Sequence, residues 1–253
     1  GVYSCDSAEK LEGDIPTIDG ATALLPMYAG FVESVYPEGS VIFNGEAYEE
    51  ESAMHYTNTL GAYKDLVDGK ADIILCAQPS DEQLAYAAEH GVEFEMTRIG
   101  SDAFVFIVNP SNTVDDITLD DVRGIYSGKI NNWKELGGKN REIAAMQRVK
   151  NSGSQTALEK VMGDVPIAKD YTTLFGSPIG FSYRYYVTGL LAEDKVKILK
   201  INGVEPTPET IADGSYPISG GVYAISRKGD TNENVRKVKD FMLSPEGQKI
   251  VEQ

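Results

Sequence analysis

Three short polar loops of this sequence each run directly into a segment whose apolar residues have helical spacing. These loops are Ala21-Thr22-Ala23, Asn58-Thr59 and Ser152-Gly153-Ser154. The first N–H groups of a helix have no partner within the helix, and the helix dipole places partial positive charge beside them, so each loop could hold an anion. Taken singly, each loop is better explained by ordinary helix capping, because serine and threonine are common N-cap residues.

The third loop differs from the other two because Arg148 lies four residues before Ser152. A guanidinium is planar and permanently charged, and its paired N–H donors match the oxygens of a tetrahedral anion. Gly153, between two hydroxyl residues, lets the backbone approach a ligand closely. These residue types at this spacing indicate an oxyanion site.

Catalytic and metal-binding motifs are not recognisable in the sequence. His55 and His90 are the two histidines, and neither accompanies a nucleophilic-serine motif. The two cysteines and two histidines are too scattered for a zinc pattern. The Gly-Lys pairs at 128–129 and 138–139 lack the spacing of a phosphate-binding loop of nucleotide hydrolases. We therefore expect a binding protein with no catalytic residues, no cofactor and no bound metal.

The composition predicts a folded chain of two lobes. The chain has 253 residues, 42% of them apolar, and a formal net charge of −16. Because 39 acidic residues outnumber 23 basic ones, a nucleic-acid-binding or anionic-membrane-binding surface is not expected. No apolar run reaches the length of a membrane span.

Strands alternate with helices along the chain, which predicts βαβ units and mainly parallel sheets. Thr118 is expected to cap a helix, Ser244-Pro245 to separate the last two helices, and Trp133 to be a packing residue. The predicted strands of the first half are 15–19, 41–43, 71–77, 94–99 and 103–108.

The cysteines suggest one exposed thiol, Cys5, near an irregular start and one thiol, Cys76, buried in an apolar strand. A disulfide between them stays open for an oxidising compartment. Val2-Tyr3-Ser4-Cys5 has a weak likeness to a lipoprotein processing site. Cys5 is therefore a lipid anchor, a disulfide partner or a free thiol.

Several stretches together resemble the phosphate-binding components of bacterial ABC transporters, from about Ile15 onward. The most recognisable stretch is Ile125–Ile130 with Asn132–Gly138. Arg148–Ser154 is similar to the family's arginine-plus-serine-glycine-threonine loop, with Ser154 in place of the threonine. The other similar stretches are Asp19–Ala23 with Pro26 and Tyr28, Ala71–Ile73, Gln78–Glu82, Ile179–Phe181 and Tyr216–Ser219.

The resemblance implies an α/β fold of two lobes, the type II periplasmic-binding-protein-like fold. Each lobe would be a mainly parallel sheet flanked by helices, and crossing strands would hinge the lobes. We expect an N-terminal tether over 1–13, a first lobe over 14–102 and 217–253, and a second lobe over 103–216. The implied function is capture of inorganic phosphate between the lobes for an ABC transporter permease. The protein would act as a monomer, in the periplasm or lipid-anchored at the cell surface.

The resemblance also implies which residues bind the ligand. The first lobe would contribute the hydroxyl of Thr22, the amides of Thr22 and Ala23, and the hydroxyl and amide of Thr59. The second lobe would contribute Arg148, Ser152, Gly153 and Ser154.

One departure leaves the identity of the anion open. The family often has an aspartate after the second strand, which accepts the proton of phosphate and so rejects sulfate. Ala77 occupies that place here, and Gln78 beside it is the candidate ligand from this turn, with a side-chain amide that can donate as well as accept. Another oxyanion such as sulfate is therefore an alternative ligand. A non-transport sensor or interaction module on the same fold is an alternative function.

Overall fold

The computed structural model describes residues 2–169, 176–189, 191 and 193–252. The chain divides into two compact units: unit 1 consists of Gly1–Gly100 and Gly221–Gln253, and unit 2 of Ser101–Gly220. From the sequence, the first lobe was expected to leave off after residue 102 and to resume at residue 217. In the structure, unit 1 leaves off after Gly100 and resumes at Gly221.

Strands and helices alternate along most of the chain. In sequence order they are β1 (Ile18–Gly20), α1 (Leu25–Val35), α2 (Asn58–Asp68), β2 (Ile73–Cys76), α3 (Asp81–Glu89), β3 (Phe94–Val108), β4 (Asp116–Ile117), α4 (Leu119–Tyr126), β5 (Ile143–Ala145), α5 (Gly153–Met162), β6 (Ser177–Tyr183), α6 (Arg184–Gly189), β7 (Lys197–Ile198), β8 (Lys200–Ile201), α7 (Pro208–Ala212), β9 (Ser219–Arg227), α8 (Glu233–Leu243) and α9 (Pro245–Val251). Short 3-10 turns occupy Thr22–Leu24, Trp133–Leu136 and Glu193–Lys195.

Unit 1 is built around β2, whose four residues are all buried. β1 lies parallel to β2, with Ile18 opposite Ile73, and β9 runs antiparallel on the other side, with Ala224 opposite Leu75. Helix α2 packs Tyr63 into the apolar cluster of this sheet. Because β1 and β2 are parallel, their carboxyl ends meet at one edge of the sheet, which is where ligand-binding loops of α/β proteins collect.

Unit 2 has its own core on the second part of β3. This part pairs antiparallel with β6 and β7, and β6 pairs parallel with β5. The rings of Phe104 and Phe106 lie edge to face, 5.4 Å apart. Trp133 is buried and donates its indole N–H to the carbonyl of Ser177 at 3.1 Å, which confirms its packing role.

The prediction of mainly parallel sheets is wrong for the described strands. β2 with β9, β3 with β6 and β3 with β7 are antiparallel, whereas β1 with β2, β4 with β8 and β5 with β6 are parallel. A parallel neighbour requires a crossover that returns the chain to the same end of the sheet. β9 instead enters unit 1 directly from unit 2 and runs opposite to β2.

Two predicted strand assignments are also wrong. Residues 41–43 form a loop with one isolated bridge between Phe43 and Tyr48, and Phe43 is 55% exposed, because no sheet face covers these apolar side chains. Residues 94–99 and 103–108 belong to the single strand β3. Gly100 looks like a break in the sequence. In the structure the strand continues through Gly100, and glycine is needed there because Val251 packs closely against the backbone: a Cβ at Gly100 would lie 2.7 Å from Val251 Cγ1.

The expectation of a tether at the N-terminus is corrected by its contacts with α1. The amide of Cys5 donates to Ser34 Oγ at 2.8 Å, and Leu11 is buried and donates its amide to the Val35 carbonyl at 2.7 Å. Gly30 makes this packing possible, because a Cβ there would lie 2.3 Å from the Tyr3 carbonyl oxygen. Residues 3–11 therefore lie against unit 1.

Both cysteines are free thiols. Cys76 is buried in β2 as predicted, whereas Cys5 is half-buried rather than exposed. Among the helices that the structure describes, none is long and apolar enough to cross a membrane.

Candidate functional site

The first predicted helix start of unit 1 follows β1. Ala21 is the N-cap of the 3-10 turn that leads into α1, and no side chain caps this turn. Its own amide is occupied, because it donates to the Leu75 carbonyl at 2.9 Å. Thr22 and Ala23 are the first two residues of the turn. Their amides therefore lie at the open end of a helix, where an anion can accept from them.

The second helix start of unit 1 is that of α2. Thr59 is its second residue and is buried, with 7% of its surface exposed. Burial raises the pKa of the Cys76 thiol well above its usual range, and the nearby hydroxyl of Thr59 partly offsets this effect. The Thr59 hydroxyl thus lies near a buried sulfur, while its amide belongs to the helix N-terminus.

Asp19 links these two helix starts, a role that the sequence pattern does not predict. It is buried, with 1% of its surface exposed. Its Oδ1 accepts from the amides of Gly20 at 2.7 Å and Thr57 at 3.0 Å, and its Oδ2 accepts from the Thr57 hydroxyl. Burial raises the pKa of Asp19, and the hydrogen bonds from Thr57 and Gly20 oppose that rise. The position of Asp19 at the end of β1 is visible in the sequence, but its contact with Thr57 is not.

Gln78 is exposed and follows β2 at the same sheet edge. Its Nε2 donates to the hydroxyl of Tyr223 at 3.2 Å. The carbonyl of the preceding Ala77 accepts from the Tyr63 hydroxyl at 2.5 Å. The structure therefore places Thr22, Ala23, Thr59 and Gln78 on the loops that follow β1 and β2 or at the start of α2.

The predicted loop of unit 2 lies between β5 and α5. Ser152 is the N-cap of α5, and its Oγ accepts from the Gln155 amide at 3.2 Å. Because this hydroxyl already accepts once, its own proton remains available to donate to another acceptor. Gly153 and Ser154 are the first two residues of α5. Asn151 before them has a φ of 68°, a left-handed conformation that asparagine tolerates better than most residues.

Gln155 fixes the backbone of this loop and was missed in the sequence. It is buried, with 5% of its surface exposed. Its Oε1 accepts from the Arg148 amide at 2.9 Å, and its Nε2 donates to Gln147 Oε1 at 3.0 Å. Gln147 in turn donates to the Ala168 carbonyl at 3.0 Å. The sequence carries no signal for this role, since a glutamine in a first helical turn is usually exposed.

The guanidinium of Arg148 is exposed and makes no ion pair or hydrogen bond within the described part of the chain. It lines an open depression of about 540 Å³ in unit 2. Among the described residues of its lining, the other charged ones are Lys150, Lys169 and Glu159, so three cationic residues and one anionic residue line it. This local excess of positive charge contrasts with the formal net charge of −16 of the whole chain.

The sequence of residues 17–246 matches the family model of the PBP superfamily domain. The chain belongs to the PBP superfamily. The match includes both helix starts of unit 1 and the Arg148–Ser154 loop of unit 2.

Several proteins that are similar to this PBP-superfamily chain are phosphate-binding proteins. The phosphate-binding protein PstS of Bacillus subtilis is 27% identical over 98% of this chain and 81% of its own length. The protein of that name from Staphylococcus saprophyticus is 28% identical over 74% of this chain and 64% of its own length, so the match spans slightly less than two thirds of that relative. A Clostridium perfringens structure described as a phosphate ABC transporter substrate-binding protein with bound phosphate has a TM-score of 0.71. It is 25% identical, and the match covers 94% of this chain and 96% of that one. These likenesses confirm the periplasmic-binding-protein-like fold predicted from the sequence.

Proposed function

We propose that this PBP-superfamily chain captures inorganic phosphate outside the cytoplasm and delivers it to the permease of an ABC transporter. The observation that carries the proposal is Arg148. Its guanidinium is unpaired within the described residues, and its backbone is fixed by Gln155 to the N-terminus of α5. An unpaired arginine fork beside a helix N-terminus is suited to a tetrahedral oxyanion. The phosphate-binding relatives and the phosphate-bound Clostridium structure support this choice of ligand.

Each unit carries its own set of candidate donors for an anion. In unit 2 these are the Arg148 guanidinium, the Ser152 hydroxyl, and the amides of Gly153 and Ser154. In unit 1 they are the amides of Thr22, Ala23 and Thr59 with the hydroxyl of Thr22. Hydrogen bonds to a charged group contribute about 1.5–3 kcal/mol each. Several of them, less the free energy lost in ordering, reach the roughly −8 kcal/mol of a micromolar complex.

The proposal includes no catalytic step. Named relatives are solute-binding proteins, and a binding protein needs only donors that release the anion unchanged. We propose that the protein acts as a monomer in the periplasm or at the cell surface. Cys5 is a candidate lipid anchor there.

Calorimetric titration of phosphate-stripped protein with phosphate, and then with sulfate, at neutral pH tests the proposal. Tight phosphate binding with weak sulfate binding is expected. A preference for sulfate would reassign the ligand, an alternative that Gln78 keeps open because its amide both donates and accepts. No heat with either anion would refute the proposal and favour the sensor or interaction module.

A further inference from the structure

Asp19 holds the two anion-binding helix starts of unit 1 with a single side chain. Its Oδ1 accepts from the Gly20 amide, two residues before Thr22, and from the Thr57 amide, two residues before Thr59. Its Oδ2 accepts from the Thr57 hydroxyl. With 1% of its surface exposed, the carboxylate has little access to water, so these three donors are its stabilising partners.

Thr57 is the N-cap of α2, yet its side chain does not cap the helix. Such a threonine ordinarily accepts from the second or third amide of the helix. Here Asn58 accepts from the Gly61 amide at 3.1 Å instead. Gly61 also leaves room for Thr57, because a Cβ at Gly61 would lie 2.6 Å from the Thr57 hydroxyl oxygen. The Thr57 hydroxyl is thus directed to Asp19, and no side chain of the N-cap occupies the Thr59 amide.

We propose that Asp19 is a positioning residue for anion binding in unit 1: it fixes the loops before Thr22 and Thr59 and keeps the Thr57 hydroxyl away from the amides of α2. The inference rests on the proposed function, since it concerns the same donors. Asp19 does not contact the anion in this scheme. Its loss would weaken binding by letting the two helix starts move relative to each other.

The test compares Asp19→Ala and Asp19→Asn with a matched control, Asp72→Ala, in phosphate titrations. Asp72 is a second carboxylate of this sheet, but it precedes β2 and so lies at the opposite end of the strands. There it accepts from the Thr17 amide at 2.9 Å and pairs with Arg227 at 2.7 Å. Melting curves for every variant establish that the protein titrated is folded.

Asp19→Ala is expected to weaken phosphate binding by about 10- to 100-fold, the range known for residues that orient metal ligands. Asp19→Asn is expected to keep the affinity within about threefold, because its amide oxygen can accept from both backbone amides and its NH₂ can donate to the Thr57 hydroxyl. Asp72→Ala is expected to lower the melting temperature and leave the affinity unchanged.

Thr57→Val and Thr57→Ser provide a second pair if Asp19→Ala does not fold. Valine matches the shape of threonine without its hydroxyl, so it is expected to weaken binding, whereas serine is expected to retain it. Equal affinities for Asp19→Ala and Asp72→Ala would overturn the inference, as would an Asp19→Asn loss as large as that of Asp19→Ala. Silence of the wild-type protein toward phosphate would instead refute the proposed function.

Discussion

Replacing Arg148 by alanine should abolish most phosphate binding without destabilising the fold. The guanidinium is exposed and has no partner within the described residues, so its removal should change the free energy of unfolding by no more than about 0.5 kcal/mol. Two charge-assisted hydrogen bonds to an anion would be lost, at about 1.5–3 kcal/mol each. The sum of about 3–6 kcal/mol corresponds to an affinity loss of roughly 10²- to 10⁴-fold.

Calorimetric titration of wild type, Arg148→Ala and Arg148→Lys measures this loss, and thermal melting measures the stability. Lysine keeps the charge but lacks the paired N–H donors, so Arg148→Lys should fall between the other two proteins. Arg236→Ala is the matched control, because Arg236 is an exposed arginine on α8 in unit 1 and its loss changes the net charge equally.

Wild-type affinity in Arg148→Ala would refute the assignment of Arg148 as a ligand. An equal loss of phosphate affinity in Arg236→Ala would also refute the assignment, because the loss would then result from the change in net charge and not from a contact of Arg148 with the anion. A melting temperature that falls together with the affinity would show that Arg148 has a structural role which its exposed position does not reveal.

Three further predictions concern buried polar groups. Gln155→Met removes the acceptor of the Arg148 amide and should weaken phosphate binding by about tenfold. The control Gln83→Met removes a capping glutamine of α3 and should lower only the stability. Equal phosphate affinities of the two variants would contradict this prediction. Tyr28→Phe should raise the free energy of unfolding by about 1 kcal/mol in urea titrations, because the buried Tyr28 hydroxyl has no partner among the described residues; a loss of stability would show that it has one. Asp102 accepts from the amides of Ala103 and Tyr185, and burial raises its pKa to about 7. The pKa of Asp102 in the unfolded chain is near 4, so between about pH 4 and 7 the carboxyl is protonated in the folded protein and ionised in the unfolded one. The free energy of unfolding of the wild type should therefore fall by a few kcal/mol as the pH rises from about 4 to 7. Asp102→Asn should lack this dependence, and a melting-temperature difference between the two proteins that stays constant from pH 4 to pH 8 would contradict it.

Local sequence signals predicted the elements that depend on local chemistry. The continuous apolar run of β2, the Thr118 capping box of α4 and the Ser244-Pro245 break between α8 and α9 all appear in the structure. Residues 41–43 were misread because β-branched and aromatic residues favour strands only when a sheet face is available to bury them. Strand β3 was predicted as two strands, 94–99 and 103–108, because the packing of Gly100 against Val251 depends on a helix at the far end of the sequence.

In the candidate site too, some residues could be predicted from local sequence patterns and others could not. Arg148 and Ser152 could be proposed from the sequence, since an arginine near a hydroxyl-rich helix start is a local pattern, and the resemblance to the phosphate-binding family added Thr22. Asp19 and Gln155 could not, because their roles depend on burial and on partners: Thr57 is 38 residues from Asp19, and the Gln155 side chain reaches back seven residues to the Arg148 amide. A polar residue that orients a ligand looks in sequence like any other polar residue.

The entry of β9 into unit 1 has a consequence for how the chain folds during its synthesis. Unit 2 is continuous in sequence, whereas unit 1 is completed only by residues that follow Gly220. When the ribosome has translated the chain as far as Gly220, the described strands of unit 2 have been made, but the edge of β2 that β9 will cover remains unpaired. An unpaired strand edge is a template for aggregation. The segment from Gly221 onward therefore acts within its own chain as the late-arriving strand that protects the apolar sheet of unit 1.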